Sequence, residues 1–294
     1  MSLAELIPLV LKASILTIVF SLGLDARPAD LTYVFRHPGR LVRSLLAMLV
    51  AMPVVAVLLV RGLGLSSTVA VMLIALSLSP VPPVLPGKQA KAGGDASYAI
   101  GLLAAVGLAS IVWIPIALEI VERVFSVPLG IAPGKVAGLV GTTILLPLAA
   151  GVIVGQVAPR LAERVAPHLA RLGGLLLLAA ALAILVSQWR AVFGLLASGA
   201  PVFAIFVALG LLIGHLLGGP DPDDRTVLAL ATASRHPGVA LAIVHLNFPG
   251  EKSFVATVLL FLLVNALVSI PYVAWRKRVG AASHIDFSRP RSKA

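Results

Sequence analysis

Apolar runs long enough to cross a bilayer recur along this chain with only short polar connections between them. No other feature constrains the fold as much. The runs cover 5–24, 41–62, 67–87, 96–118, 135–157, 172–188, 196–218, 226–246 and 253–275. A stretch of about 20 apolar residues spans the hydrocarbon core as a helix, because a helix pairs its own backbone polar groups where no water can. The expected fold class is therefore an all-α membrane protein with about nine transmembrane helices. Composition agrees: 59% of residues are hydrophobic, 12% are charged and the mean hydropathy is +1.05. A water-soluble domain carries about twice that charged fraction, so the polar surface that a soluble enzyme needs is missing.

The net charge of +11 would suggest nucleic acid in a soluble protein. Here it is the Lys and Arg excess expected of cytoplasmic loops. With nine spans, Arg61, Arg123, Lys135, Arg190 and Lys252 fall on one side and sixteen other Lys and Arg on the opposite side. That bias places the N-terminus outside and the C-terminus in the cytoplasm of a cell (inner) membrane, with 276–294 as a basic cytoplasmic tail, polar and disordered beyond the membrane interface. Met1 to Leu11 has no basic residue ahead of its apolar run and reads as the start of the first span, not as a signal peptide. The longest connections are 25–40, 119–134 and 158–171. The chain has no Cys, which removes disulfides, thiolate metal sites and thiol catalysis.

Two spans cannot be continuous helices. The third carries Pro80, Pro82, Pro83 and Pro86 within seven residues, and each proline removes a backbone donor. The eighth reads Thr232-Ala233-Ser234-Arg235-His236-Pro237-Gly238, a Pro-Gly break preceded by two basic residues. Irregular backbone at membrane depth persists only where it is buried in protein or lines a wet cavity. A pair of interrupted helices in two halves points to a transporter site near the midplane. An Arg inside a span is costly and is a functional candidate by default.

Around these residues the sequence resembles the bile acid:sodium symporter family. Gly23-Leu24 with the short Arg27-Pro28-Ala29-Asp30 loop resembles the family's first conserved segment, and Arg36-His37-Pro38 and Met52-Pro53 resemble its next helix. Ser79-Pro80 with Gly94-Asp95 falls on its Pro-Gly-Gly segment, Arg235 to Ala242 on its Gln-Asn-X-Gly-Leu-Ala stretch, and Asn265 on a family Asn. The resemblance implies an inverted-repeat transporter fold with two broken, crossing helices. The panel domain would be the spans near 5–24, 135–157 and 172–188, and the core those near 41–62, 67–87, 96–118, 196–218, 226–246 and 253–275. It implies a chain that begins one helix later than ten-span members. Carried over residue by residue, however, the sodium-liganding positions of the family become Met48, Leu85, Pro86, Ala99, Leu103, Ala231, Arg235 and His236. Nearly every sodium ligand is replaced.

The acids argue the same way. None of the twelve lies in the middle of a span, with Asp95 the nearest, whereas a buried hard cation takes oxygen ligands, usually with a carboxylate. The expected substrate is a small organic anion, bound by Arg235, His236, Asn265, Ser234 and Pro83, with Lys88, Lys91 and Asp95 at the inner mouth. The guanidinium fork of Arg235 suits a carboxylate, and Lys12 snorkels to the outer surface. No Gly-X-Ser-X-Gly, His-Glu-X-X-His or Walker loop is present, so no catalytic residue, metal or cofactor is assigned. The expected function is alternating-access transport with no need for sodium; proton coupling or exchange stays open. Sodium-coupled symport and a non-transporting membrane receptor are the alternatives.

Overall fold

The computed structural model describes residues 3–125, 130–251 and 253–286. Among them the chain is helical throughout, with no strand. In order the helices are α1 (Leu3–Asp25), α2 (Pro28–Leu31), α3 (Tyr33–Arg36), α4 (Pro38–Gly62), α5 (Ser67–Leu78), α6 (Leu85–Lys91), α7 (Ala96–Phe125), α8 (Pro133–Val157), α9 (Pro159–Leu217), α10 (Pro222–Ala233), α11 (Pro237–Asn247) and α12 (Ser253–Asp286). Among the described residues, seven segments are long and apolar enough to cross a membrane, with α10 and α11 counted together. The molecule is a multi-pass membrane protein.

Proline marks where the helices begin. Pro28, Pro38, Pro133, Pro159, Pro222 and Pro237 each stand in a first turn, where the missing N–H has no partner to lose. Two interior prolines are handled differently. Before Pro53 and before Pro147 the helix widens into a π turn, at Leu46–Ala51 and Gly141–Leu145. The Met52 N–H reaches back to the Ala47 carbonyl. The next donor in that register is Pro53, which has none, so the Met48 carbonyl is left without a helical partner.

The helices approach at glycines. A Cβ on Gly151 would lie 2.3 Å from the Phe20 carbonyl oxygen and 2.8 Å from the Gly23 Cα. The backbones of α1 and α8 therefore touch, and Gly155 meets Leu24 in the same way. On the other face of α1, Gly173 of α9 meets Ser14 and Ile18. The last part of α9 lies on α10, with Gly210 against Ala233, Gly214 against Ala229 and Gly218 against Arg225. Without a hydrophobic force between helices in lipid, such small residues permit the close packing that holds them.

Several sequence expectations need correcting. The connection at 158–171 and the gap at 189–195 do not exist as loops: α9 runs 59 residues through both. Ala and Leu dominate this stretch, and their helix propensity carries it across Gln188-Trp189-Arg190. The connection at 119–134 is shorter than read, because α7 continues to Phe125. The tail does not leave the bundle at Arg276 as a disordered segment. Helix α12 continues to Asp286, and Arg276 is buried, donating to the Thr226 hydroxyl at 2.7 Å and the Pro222 carbonyl at 2.9 Å. The rest of the proposed tail, 287–294, lies outside the described residues.

Candidate functional site where two broken helices meet

The first break is the unwound stretch from Ser79 to Val84, between α5 and α6; the second is Ser234 to His236, between α10 and α11. Pro80, Pro82 and Pro83 lie inside the first gap. Pro86, Pro237 and Gly238 do not lie in a gap. They occupy the first turns of α6 and α11, so they start the second half-helices and do not unwind the first.

The two breaks bond to each other for a reason written in the prolines. The donors that would reach the Ser79 carbonyl along the chain are those of residues 82 and 83, both proline. A buried carbonyl must find another partner. The Arg235 Nη1 donates to it at 3.3 Å and also to the freed Met48 carbonyl at 3.4 Å. The His236 backbone N–H donates to the Pro80 carbonyl at 2.9 Å and to the Ser79 Oγ at 3.1 Å. On the other side of the second gap, Asn265 Nδ2 donates to the Ala233 carbonyl at the end of α10, at 2.9 Å. Arg235, His236 and Asn265 are thus each tied to polar groups beside the breaks.

Arg235 is fully buried, with 0% of its surface exposed. Its Nε and Nη2 have no hydrogen-bond partner. These two nitrogens form the parallel N–H edge of the guanidinium that takes a carboxylate bidentately. The edge that suits an anion is the edge left free. His236 caps α11: its Nδ1 accepts from the Gly238 and Val239 amides at 3.2 and 3.4 Å. An accepting Nδ1 carries no proton, so the neutral ring holds its proton on Nε2, which is buried and unpartnered. Gly238 itself is exposed, so the positive end of α11 opens outward although Arg235 does not.

The remaining expected residues have no hydrogen bond to Arg235, His236 or Asn265 among the described residues. Ser234 and Pro83 are buried. Lys88 and Lys91 are exposed on α6, while Gln89 between them is buried and donates to the Val227 carbonyl of α10 at 2.7 Å. Asp95 accepts from the Tyr98 amide and begins α7. A cavity of about 110 Å³ with apolar walls, including Val60, Ile74, Leu118 and Phe248, is lined by none of the expected residues.

The sequence reading missed an ion pair. Arg40 Nε lies 2.5 Å from the buried carboxylate of Asp224, and Arg40 also bonds the Tyr33 hydroxyl. It ties the start of α4 to the start of α10. The signal available in the sequence is an acid just ahead of an apolar run.

Residues 13–194, well over half of the chain, match the sodium bile acid symporter family. The chain belongs to that family. It is also similar to the sodium-dependent organic anion transporters of Rattus norvegicus and Mus musculus, each 25% identical over 274 residues. The matched region covers 89% of this chain and 73% and 72% of the two relatives.

Proposed function

We propose that this family member carries a small organic anion across the membrane by alternating access and needs no sodium to do so. The observation that carries the reading is the free Nε–Nη2 edge of Arg235 at the meeting of the two breaks. A permanent positive charge there, beside the positive end of α11, favours an anion. Asn265 and His236 hold the backbone around it. In this arrangement the edge is sealed from solvent, as an alternating-access carrier would hold its site between its two open forms.

The sodium-coupled reading keeps support from the names of the two rodent relatives. Against it stands the chemistry of the crossing, where Ala231 takes the place of the carboxylate that a bound sodium ion would need and a guanidinium stands one helical turn along, at Arg235.

Nine crossings fit this reading if α9 supplies two of them. A straight 59-residue helix would be about 88 Å long, nearly three hydrocarbon thicknesses. Yet near its start Ala162 clusters with Leu24, and at its end Gly218 meets Arg225, beside the Asp224–Arg40 pair. We place a sharp bend near Trp189, within the continuous helix, to bring both ends to one face. The panel is then α1, α8 and the first part of α9, and the core is α4–α7, the last part of α9 and α10–α12. Lys and Arg bias keeps the N-terminus outside and the C-terminus in the cytoplasm of an inner membrane.

Counterflow tests the class. Proteoliposomes loaded with an unlabelled carboxylate, found by thermal-shift screening of bile acids and short aliphatic acids, should accumulate the labelled form against its gradient. A membrane receptor would bind the ligand in detergent without any counterflow, and that outcome would defeat the proposal.

A further inference from the structure

We infer that the apolar cavity between α4, α5, α7 and α11 holds one acyl chain of a bilayer phospholipid, whose phosphate is held at the rim by Arg61. The cavity measures about 110 Å³, and every residue that lines it is apolar. The space has a cause in the sequence. Ala70 and Ala75 of α5 contribute only methyl groups to its wall. Ile243 and Val244 of α11 share the cavity with them, and such β-branched side chains are stiff at χ1 and cannot swing in to fill it. Protein interiors are close-packed, and an apolar void of this size stays dry and accepts an apolar guest.

Burial grades along the cavity. Ala75, Leu118, Ile243 and Val244 are buried, whereas Phe125 and Phe248, at or just past the ends of α7 and α11, are half-buried. Between Leu118 and Phe125 a helix rises about 10 Å. The cavity therefore runs inward from the level where membrane-crossing helices finish, which is the level of lipid headgroups.

Arg61 supplies the second, independent observation. It stands in the last turn of α4, directly after Val60 of the cavity wall. Its Nη2 donates to the Val124 carbonyl at 2.9 Å, and its guanidinium lies over the ring of Phe125, 5.6 Å from the centroid. The side chain is exposed, and among the described residues no carboxylate forms a salt bridge with it. A cation fixed at the mouth of a hydrocarbon slot complements a lipid phosphate standing above its own chain. The bilayer supplies that amphiphile at this depth. Because α5 leads into the first break and α11 leaves the second, the bound chain braces one half of each broken helix.

The test uses delipidated protein in detergent, titrated with phosphatidylglycerol or with diacylglycerol carrying the same chains. Native mass spectrometry reads stoichiometry, and thermal unfolding reads affinity. Wild type should hold one phosphatidylglycerol and gain on the order of 5 °C, saturably. Ala75→Phe fills the cavity with a ring. Each methylene it keeps out costs about fourfold in affinity, so binding should weaken tenfold or more while the lipid-free protein stays folded. Where Ala75→Phe does not elute as a folded species, Ala70→Leu carries the same test from the same wall. Arg61→Gln should weaken phosphatidylglycerol several-fold and leave diacylglycerol unchanged. Phosphatidylglycerol binding equal to wild type in the cavity-filling and Arg61 variants would mean lipid held only around the perimeter, and would overturn the inference. So would a cavity-dependent shift produced by the screened carboxylate and not by phospholipid. Neither outcome bears on counterflow, so this inference and the proposed function fail separately.

Discussion

Arg235→Ala is expected to weaken binding of the transported anion by roughly 30-fold or more. Truncating one partner of a desolvated charge pair typically costs about 2–5 kcal/mol, and about 1.4 kcal/mol is tenfold in affinity. The side chain is buried, with its bidentate edge unpaired, so nothing else in the crossing replaces it. Arg235→Lys should recover only part of the loss. It keeps a positive charge that reaches the Ser79 and Met48 carbonyls but has no planar fork. The measurement is titration of the screened carboxylate into each variant after monodisperse elution has shown it folded. Wild-type affinity in a folded Arg235→Ala protein would reduce Arg235 to a support for the breaks.

Gly151→Leu should prevent the helices around α1 from assembling, whereas Gly174→Leu should be tolerated. At Gly151 the atoms a side chain would strike are backbone, at 2.3 and 2.8 Å, and backbone cannot rotate aside. Overpacking that side chains can relieve costs about 1–3 kcal/mol, and occasionally more. Here two helices must separate, so the cost should exceed that range. At Gly174, on α9, nothing lies within 4 Å of the added Cβ. The check is elution profile and thermal midpoint of both variants. Gly151→Leu should aggregate or lose upward of ~5 °C, and equal behaviour of the pair would mean that α1 and α8 do not touch as described.

The parts of this fold that were legible in the sequence are those dictated by covalent chemistry. Runs of Leu, Val and Ala of spanning length announce membrane helices, and proline announces where a helix starts or stops. Pro80, Pro82 and Pro83 lie in the first gap for that reason. Pro237 misled by a few residues, because a proline at the head of a helix and a proline in a gap look alike until the preceding residues are seen to be unwound. Arg235 was legible as an oddity, a charge within a span. Its partners were not: Ser79 and Met48 lie 156 and 187 residues away, and backbone carbonyls carry no sequence signal of their own. The Met48 carbonyl could have been found by asking which acceptor Pro53 leaves unpaired, had the π turn been foreseen. The turn shifts one hydrogen bond without changing the hydrophobic pattern. The continuity of α9 was hidden for the opposite reason. Gln188-Trp189-Arg190 reads as polar punctuation, but three such residues do not interrupt a helix that has Leu and Ala on both sides.

Arg40 and Asp224 show a further limit. Each is an ordinary charged residue at the end of an apolar run, and only the packing of α4 against α10 brings them together, with Asp224 buried and Arg40 half-buried. Spacing along the chain cannot reveal a contact between helices whose rotation about their axes is unknown. The same holds for Tyr98 and Ser44, whose hydroxyls meet at 2.8 Å across 54 residues.

The central claim is that a tethered guanidinium stands where a bound cation would otherwise be required. Uptake of the labelled carboxylate into proteoliposomes, with sodium or choline as the only external cation and no other gradient changed, tests it most directly. The account predicts equal initial rates in the two media and an apparent anion affinity that does not move with sodium concentration. Uptake that rises saturably with sodium and is abolished in choline would contradict it.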